Sequence, residues 1–257
     1  MLEDPYRFVE AVKNRREYLA DQLQQASPVV GLPYAEGLLL LTTTPGPRKL
    51  FEIYNQVAFA AVGHPADMEK LRKAVIDLAH LDAFNLSPQD VSLQRMVSQG
   101  LGPLMKDAFD EIFRSPFIAR ALLAELDPPT GQECFYTVDA DGSFGSSRTC
   151  AAVSGTPQSQ TAILQYLENN DTAALPLEPA LERALKAWGM GRIALDREEG
   201  TPPDEPALKD YLAQTLPGMR LEAAVLDRGR PTKSKFCLLD APVLDQALAP
   251  YSSGESQ

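Results

Sequence analysis

The side chains of most obvious chemical interest are two histidines and three cysteines, and their spacing argues against a metal centre. His64 and His80 each lack a second histidine or cysteine three or four residues away, the separation that puts two ligands on one helix face. Cys134, Cys150 and Cys237 contain no C-x-x-C pair and leave one cysteine over, so they read as small buried hydrophobes in a reducing compartment. The spacing of serines, histidines and aspartates neither makes nor forbids a hydrolase triad, but no G-x-S-x-G elbow presents a serine at a strand-to-helix turn. No G-x-x-x-x-G-K-[ST] loop is present, and Gly189-Met190-Gly191-Arg192 reads as a helix C-cap rather than a phosphate cradle. No metal and no cofactor are implied.

Charge and length narrow the partners. The 257 residues carry 24 Lys and Arg against 35 Asp and Glu, a net charge of −11. Phosphate affinity rests on clustered cations, so nucleic acid is not an expected partner. The opening MLEDPYRFVEAVKNRREYL is charged and has no apolar core of a signal peptide. The longest apolar stretches, residues 37–41 and 57–63, fall short of the about 20 residues that span a bilayer. No membrane is expected, and the location expected is cytoplasmic.

The elements that must position any site follow from apolar spacing. Asp4 as N-cap and Pro5 in the first turn open a helix over about 5–25, with Phe8, Val12, Leu19 and Leu23 on one stripe, and Pro28 ends it. Residues 29–32 and 38–42 flank the turn Tyr34-Ala35-Glu36-Gly37. Residues 50–53 and 57–62 flank Tyr54-Asn55-Gln56. Both pairs read as hairpins. Met68, Leu71, Val75 and Leu78 mark one helix; Leu93, Val97, Leu101, Leu104, Ala108 and Ile112 mark the next, with a kink expected at Pro103.

Strands are then expected over 118–126, 134–138, 144–148 and 150–153, split by turns at 128–131 and 139–142. Thr156 caps a helix, and Leu177, Leu181, Leu185 and Trp188 mark another. Residues 196–206 read as a solvated acidic loop, 221–226 and 235–239 as a strand pair, and Asp240 as the cap of a last helix through Leu248. Strand runs separated by helix pairs suit two stacked sheets with helices on both outer faces. The expected fold is α+β, a four-layer αββα sandwich with an extra N-terminal helix. Residues 1–251 form one domain in this reading, and 252–257 a flexible C-terminal tail.

The stretch VVGLPYAEGLLLLTTTPGPRKLFEIYNQVAFAAVG, residues 29–63, resembles the opening strands of proteasome subunits. Their pattern is a VGI-type strand, a hairpin, a Lys-(Leu/Ile)-(Phe/Tyr) strand, and an aliphatic strand ending in Gly. LEAAVLDRGRPTKSKF, residues 221–236, is similar to the matching strand and turn of actinobacterial-type α subunits, and the helix ahead of the first strand is also an α-type feature. The resemblance implies the N-terminal-nucleophile (Ntn) hydrolase fold.

In that superfamily an N-terminal Thr attacks with its own amine as base, helped by an acidic residue and a lysine. The resemblance puts Ser27 at the nucleophile position, Thr43 at the acid and Lys49 at the lysine. Ser27 is internal, precedes Pro28 and follows a helix with no Gly cleavage signal, and Thr43 is no acid. The implied chain is therefore a non-catalytic α-type subunit. It would form the heptameric outer ring of a bacterial 20S-like core, stack on proteasome β subunits, gate substrate entry and dock a ring-shaped ATPase or other activator by its C-terminal tails.

Lys49 and Gly63 would then line the activator-tail pocket, Met1, Leu2, Glu3 and Asp4 would form the gate, and Phe8, Val12, Leu19 and Leu23 would make ring contacts. Each assignment has an alternative: a solvated strand-edge lysine for Lys49, and packing on the chain's own domain for the helix stripe. Two other functions also stay open, an active hydrolase using Ser27 after processing and a stand-alone ring-forming scaffold without β subunits.

Overall fold

Every residue of β1 (Val29–Tyr34) and β2 (Gly37–Thr44) is buried, which requires cover on both faces of the sheet they form. The structure, a computed structural model, describes residues 5–88, 90–111, 113–126, 133–196 and 203–251. The turn at 128–131, the gate residues Met1–Asp4, Ile112 and the tail at 252–257 lie outside them.

Two antiparallel five-stranded sheets account for the strands. The first runs β10 (Phe236–Leu238), β9 (Arg220–Asp227), β2, β1, β8 (Ala151–Val153). The second runs β3 (Leu50–Tyr54), β4 (Val57–Gly63), β5 (Ala119–Leu126), β6 (Glu133–Val138), β7 (Phe144–Ser147). Successive side chains point to opposite faces of a strand, and the core divides accordingly. Leu38 and Leu40 of β2 meet Ala58, Ala60 and Val62 of β4 between the sheets.

On the outer faces, Leu39 and Leu41 pack under α5 (Pro157–Glu168), α6 (Leu177–Asp196) and α7 (Glu205–Thr215). Val57, Phe59 and Ala61 pack under α2 (Pro65–Asn85), α3 (Leu93–Arg95) and α4 (Gly102–Asp110). The result is the four-layer αββα sandwich read from the element order, with α8 (Ala241–Leu248) added beside the first sheet.

Three expectations need correction. Gly189-Met190-Gly191-Arg192 does not cap a helix but lies inside α6. A Cβ on Gly189 would sit 2.8 Å from Leu212, and one on Gly191 2.5 Å from Ile163, so these glycines let α7 and α5 approach α6 closely. Residues 203–206 are not all loop: the Asp204 carboxylate accepts the Ala207 N–H at 3.0 Å and starts α7, which Leu208, Leu212 and Leu216 bind to the core. Residues 197–202 of that acidic stretch lie outside the described residues. The expected kink at Pro103 becomes a π-helical turn over Met96–Leu101, just before the proline, with the Gly102 N–H bonded to the Val97 carbonyl. The widened turn absorbs the interruption ahead of the missing proline donor.

α1 (Pro5–Leu23) packs on its own chain. Leu19 and Leu23 are buried against Phe109 and Ala140, with half-buried Val12 and Ile118 beside them. These two leucines are therefore covered within the protomer. Val9 and Tyr18 are the large apolar side chains the helix leaves exposed, and the Phe8 side chain lies outside the described set. The end of α1 rests on Gly155, where a Cβ would overlap the Leu23 carbonyl oxygen and lie 2.7 Å from that of Gln24.

A buried carboxylate ties the two sheets together. Glu222 of β9 is only 4 % exposed. Its carboxylate accepts the backbone N–H groups of Lys49 at 3.0 Å and Leu50 at 3.1 Å, where β3 begins, and Arg48 stands 3.7 Å away.

Two stability predictions result. Glu222→Gln removes the charge and leaves one N–H without its acceptor, and should lower unfolding free energy by about 2 kcal/mol, read as a lower urea midpoint. Gly155→Ala should leave the sandwich folded but lift the end of α1, seen as faster amide exchange over residues 20–26.

Candidate functional site

Where the end of α1 hands over to β1, three residues that the resemblance paired come together. The Ser27 hydroxyl lies 3.0 Å from that of Thr43. The Lys49 ammonium donates to the carbonyl oxygens of Ser27 and Thr43, both at 3.3 Å. Each position is set by an element: Ser27 by the last turn before β1, Thr43 by the end of β2, and Lys49 by the entry to β3. The Lys49 and Leu50 N–H bonds to Glu222 fix that entry.

The surroundings are polar and almost fully satisfied. Ser27 is 9 % exposed and Thr43 is buried. The Trp188 indole N–H donates to the Ser27 oxygen at 3.2 Å, and the Thr43 hydroxyl also reaches the Met219 sulfur at 3.5 Å. Thr42 donates to the Pro28 carbonyl at 2.8 Å, pinning the start of β1 to β2. Burial pushes the Lys49 ammonium down to about 8; Glu222 opposes the shift and the Arg192 guanidinium adds to it.

Chemically, the serine hydroxyl has a hydrogen-bond network but no base. The nitrogen of Ser27 is held in a peptide bond behind Ala26, whose N–H donates to the Leu23 carbonyl at 2.8 Å. The position opposite the hydroxyl is a threonine, which cannot carry the charge an acid would. Lys49 has a lowered proton affinity, yet it faces carbonyl oxygens rather than the hydroxyl.

Gly63 ends β4 at the same end of its sheet as Lys49, because Leu50 pairs with Ala60. Its φ of +129° suits glycine. The space a side chain would take is filled by the Ile118 carbonyl of the same chain, which also accepts the His64 N–H at 2.7 Å. The fold itself thus accounts for this glycine, and the clearance is not open to a bound tail on that side. His64 caps α2 by accepting the Ala66 N–H at 3.3 Å, and His80 stacks edge-on to Tyr54 with ring centres 5.5 Å apart. All three cysteines are free thiols.

Sequence reasoning left out Trp188, Arg192, Met219 and Glu222 as site residues. Glu222 had a readable signal, a carboxylate inside the apolar run LEAAVL. Trp188 was legible only as part of a helix stripe, because its indole N–H meets Ser27 across 161 residues of chain.

The comparisons with known proteins agree with this geometry. A family model described as Proteasome subunit matches residues 25–198, which hold the first eight strands together with Ser27, Thr43, Lys49 and Trp188. A curated protein named Proteasome subunit alpha from Streptosporangium roseum is 28 % identical over 257 residues, covering 97 % of this chain and 88 % of that protein. One of the same name from Actinosynnema mirum is 29 % identical over 228 residues, covering 87 % and 79 %. Another from Streptomyces scabiei is 28 % identical over 245 residues, covering 93 % and 89 %. With a match across both sheets and more than half of its length, the chain belongs to the proteasome subunit family.

Proposed function

We propose that this chain is a non-catalytic α-type subunit of a bacterial 20S-like proteasome core. It forms the heptameric outer ring, stacks on β subunits, gates entry and docks an activator, so that it organises protein degradation without cutting substrate. The observation that carries the non-catalytic part is the packed setting of Ser27. A helix packed on the protomer runs directly into it, so the position that would need a free amine has an amide instead, and Thr43 replaces the acid. The α-type assignment is supported by that helix and by the three relatives' names.

The ring follows from one head-to-tail interface repeated until it closes. Exposed Val9 and Tyr18 on α1, with Val12 at its edge, are the contacts available to a neighbour. Met1–Asp4 would lie at the pore as the gate. The three free thiols fit a reducing, cytoplasmic setting.

Within this reading Lys49 receives the C-terminal carboxylate of an activator tail. Its ammonium is part-buried and has two carbonyl acceptors, and among the described residues no carboxylate lies within hydrogen-bond reach of it. A point charge with one donor to spare suits a terminal carboxylate.

Imaging, hydrolysis, intact mass and docking test the proposal. Negative-stain images of the chain with a β-type subunit should show stacked rings with seven-fold top views, and a particle that stays monomeric in both the presence and absence of β would overturn the assignment. Ser27→Ala should leave peptide hydrolysis by the assembled particle unchanged, and intact mass should retain residues 1–26; loss of activity or of that segment would favour the processed hydrolase. Lys49→Met should weaken activator docking by about 30-fold or more while rings still form. Docking should also be flat below pH 7 and fall as pH rises through about 8, because the lowered affinity of Lys49 for its proton removes the ammonium there.

A further inference from the structure

From the geometry we infer that Arg192 is a second cation of the Lys49 site, and that the two together receive one carboxylate at the end of a partner chain. The inference rests on the reading of Lys49 given above and names a residue that reading did not include.

Arg192 lies in α6 one turn after Trp188, so both side chains leave the same face of the helix. Trp188 reaches Ser27, whose carbonyl oxygen holds Lys49. Arg192 therefore stands on the side of the helix that faces the Ser27–Lys49 junction, close enough to disfavour the Lys49 ammonium. Its Nε is buried with no hydrogen-bond partner. A buried guanidinium donor without an acceptor costs roughly 1–3 kcal/mol, more when charged. Nearly all such groups have a partner in the functional state.

The charges around the site do not balance. Lys49 enters at β3, Arg192 comes from α6, Arg48 precedes Lys49, and Glu222 comes from β9. Among the described residues Glu222 is the carboxylate that acts on Lys49, and it is already engaged by the Lys49 and Leu50 N–H groups and by Arg48. Among the described residues, Lys49 and Arg192 thus face one anion that is already committed, which leaves room for one more negative group. A carboxylate fits best. The planar guanidinium can grip both oxygens while the ammonium supplies a point charge. A chain end can enter where a side-chain carboxylate on a folded partner could not.

The test is fluorescence anisotropy on the assembled ring with a labelled hexapeptide, Ala-Ala-Ala-Leu-Tyr-Leu, as free acid and as C-terminal amide. The free acid should bind and the amide should not. Arg192→Met should weaken binding of the acid at least about tenfold, and Arg192→Lys should recover most of it. Arg192→Met should also move the pH at which binding is lost upward from about 8, since Lys49 then keeps its proton longer. Wild-type binding by Arg192→Met alongside loss in Lys49→Met would overturn the role of Arg192 and leave Lys49 acting alone. Equal binding of acid and amide, no binding to the wild type, or no effect of either substitution would overturn the carboxylate site itself.

Discussion

Glu222 is the interaction on which the rest of the site depends. A carboxylate with 4 % exposure is tolerable only if its lone pairs are used, and here two of the acceptors are filled by consecutive backbone N–H groups at the entry to β3. The glutamate belongs to one sheet and the amides to the other. Apolar packing between the sheets sets their separation but is non-directional. The Glu222 bonds are directional, so they fix where β3 begins along the sandwich and therefore where Lys49 stands. With that point fixed, the lysine can reach the carbonyls of Ser27 and Thr43 at the ends of β1 and β2. Sheet register, lysine position and local charge thus have one cause.

On the proposed reading, the same cluster is a hydrolase-like arrangement that keeps its geometry while serving another purpose. The reach from Lys49 to the backbone depends on strand ends rather than on the serine and threonine side chains. Changing an acid to Thr43 removes a charge but leaves a hydroxyl that satisfies Ser27 at 3.0 Å. Trp188 then fills the remaining space and donates to Ser27. Once α1 holds the Ser27 nitrogen in an amide, what remains is a rigid frame around a cation. On the proposed reading, that cation binds instead of assisting a nucleophile.

Much of the fold was legible because the central strands of both sheets are buried on both faces and read as short apolar runs bounded by turn residues. Val57–Gly63 and Arg220–Asp227 illustrate this. The helix α7 was missed because its sequence follows the acidic run DREEGTPPDEP, whose composition outweighed the local cap at Asp204. Gly189 and Gly191 misled for a physical reason: glycine favours helix ends by its own conformational freedom, but here the lack of a side chain serves the approach of neighbouring helices, which only the packed structure displays. In the site, the resemblance grouped Ser27, Thr43 and Lys49, all within a span of 23 residues. Trp188, Arg192 and Glu222 come from more than a hundred residues away, and no local spacing could pair them.

Charge at two scales bears on what such a site can select. The chain as a whole carries −11, and the ring of the proposed reading multiplies that figure, so an acidic partner is repelled as it approaches. At physiological salt this repulsion is screened beyond roughly 8 Å. The excess of cations around Lys49 acts only inside that distance, in a part-buried setting where screening is weaker. A free acidic chain would feel the long-range field on all its charges and gain one contact. A partner docked by other surfaces, and presenting a single terminal carboxylate at short range, would meet little of the repulsion and all of the attraction. The acidity of the particle and the local positive spot therefore work in the same direction, favouring one charge delivered by a docked body over many charges arriving on a loose one.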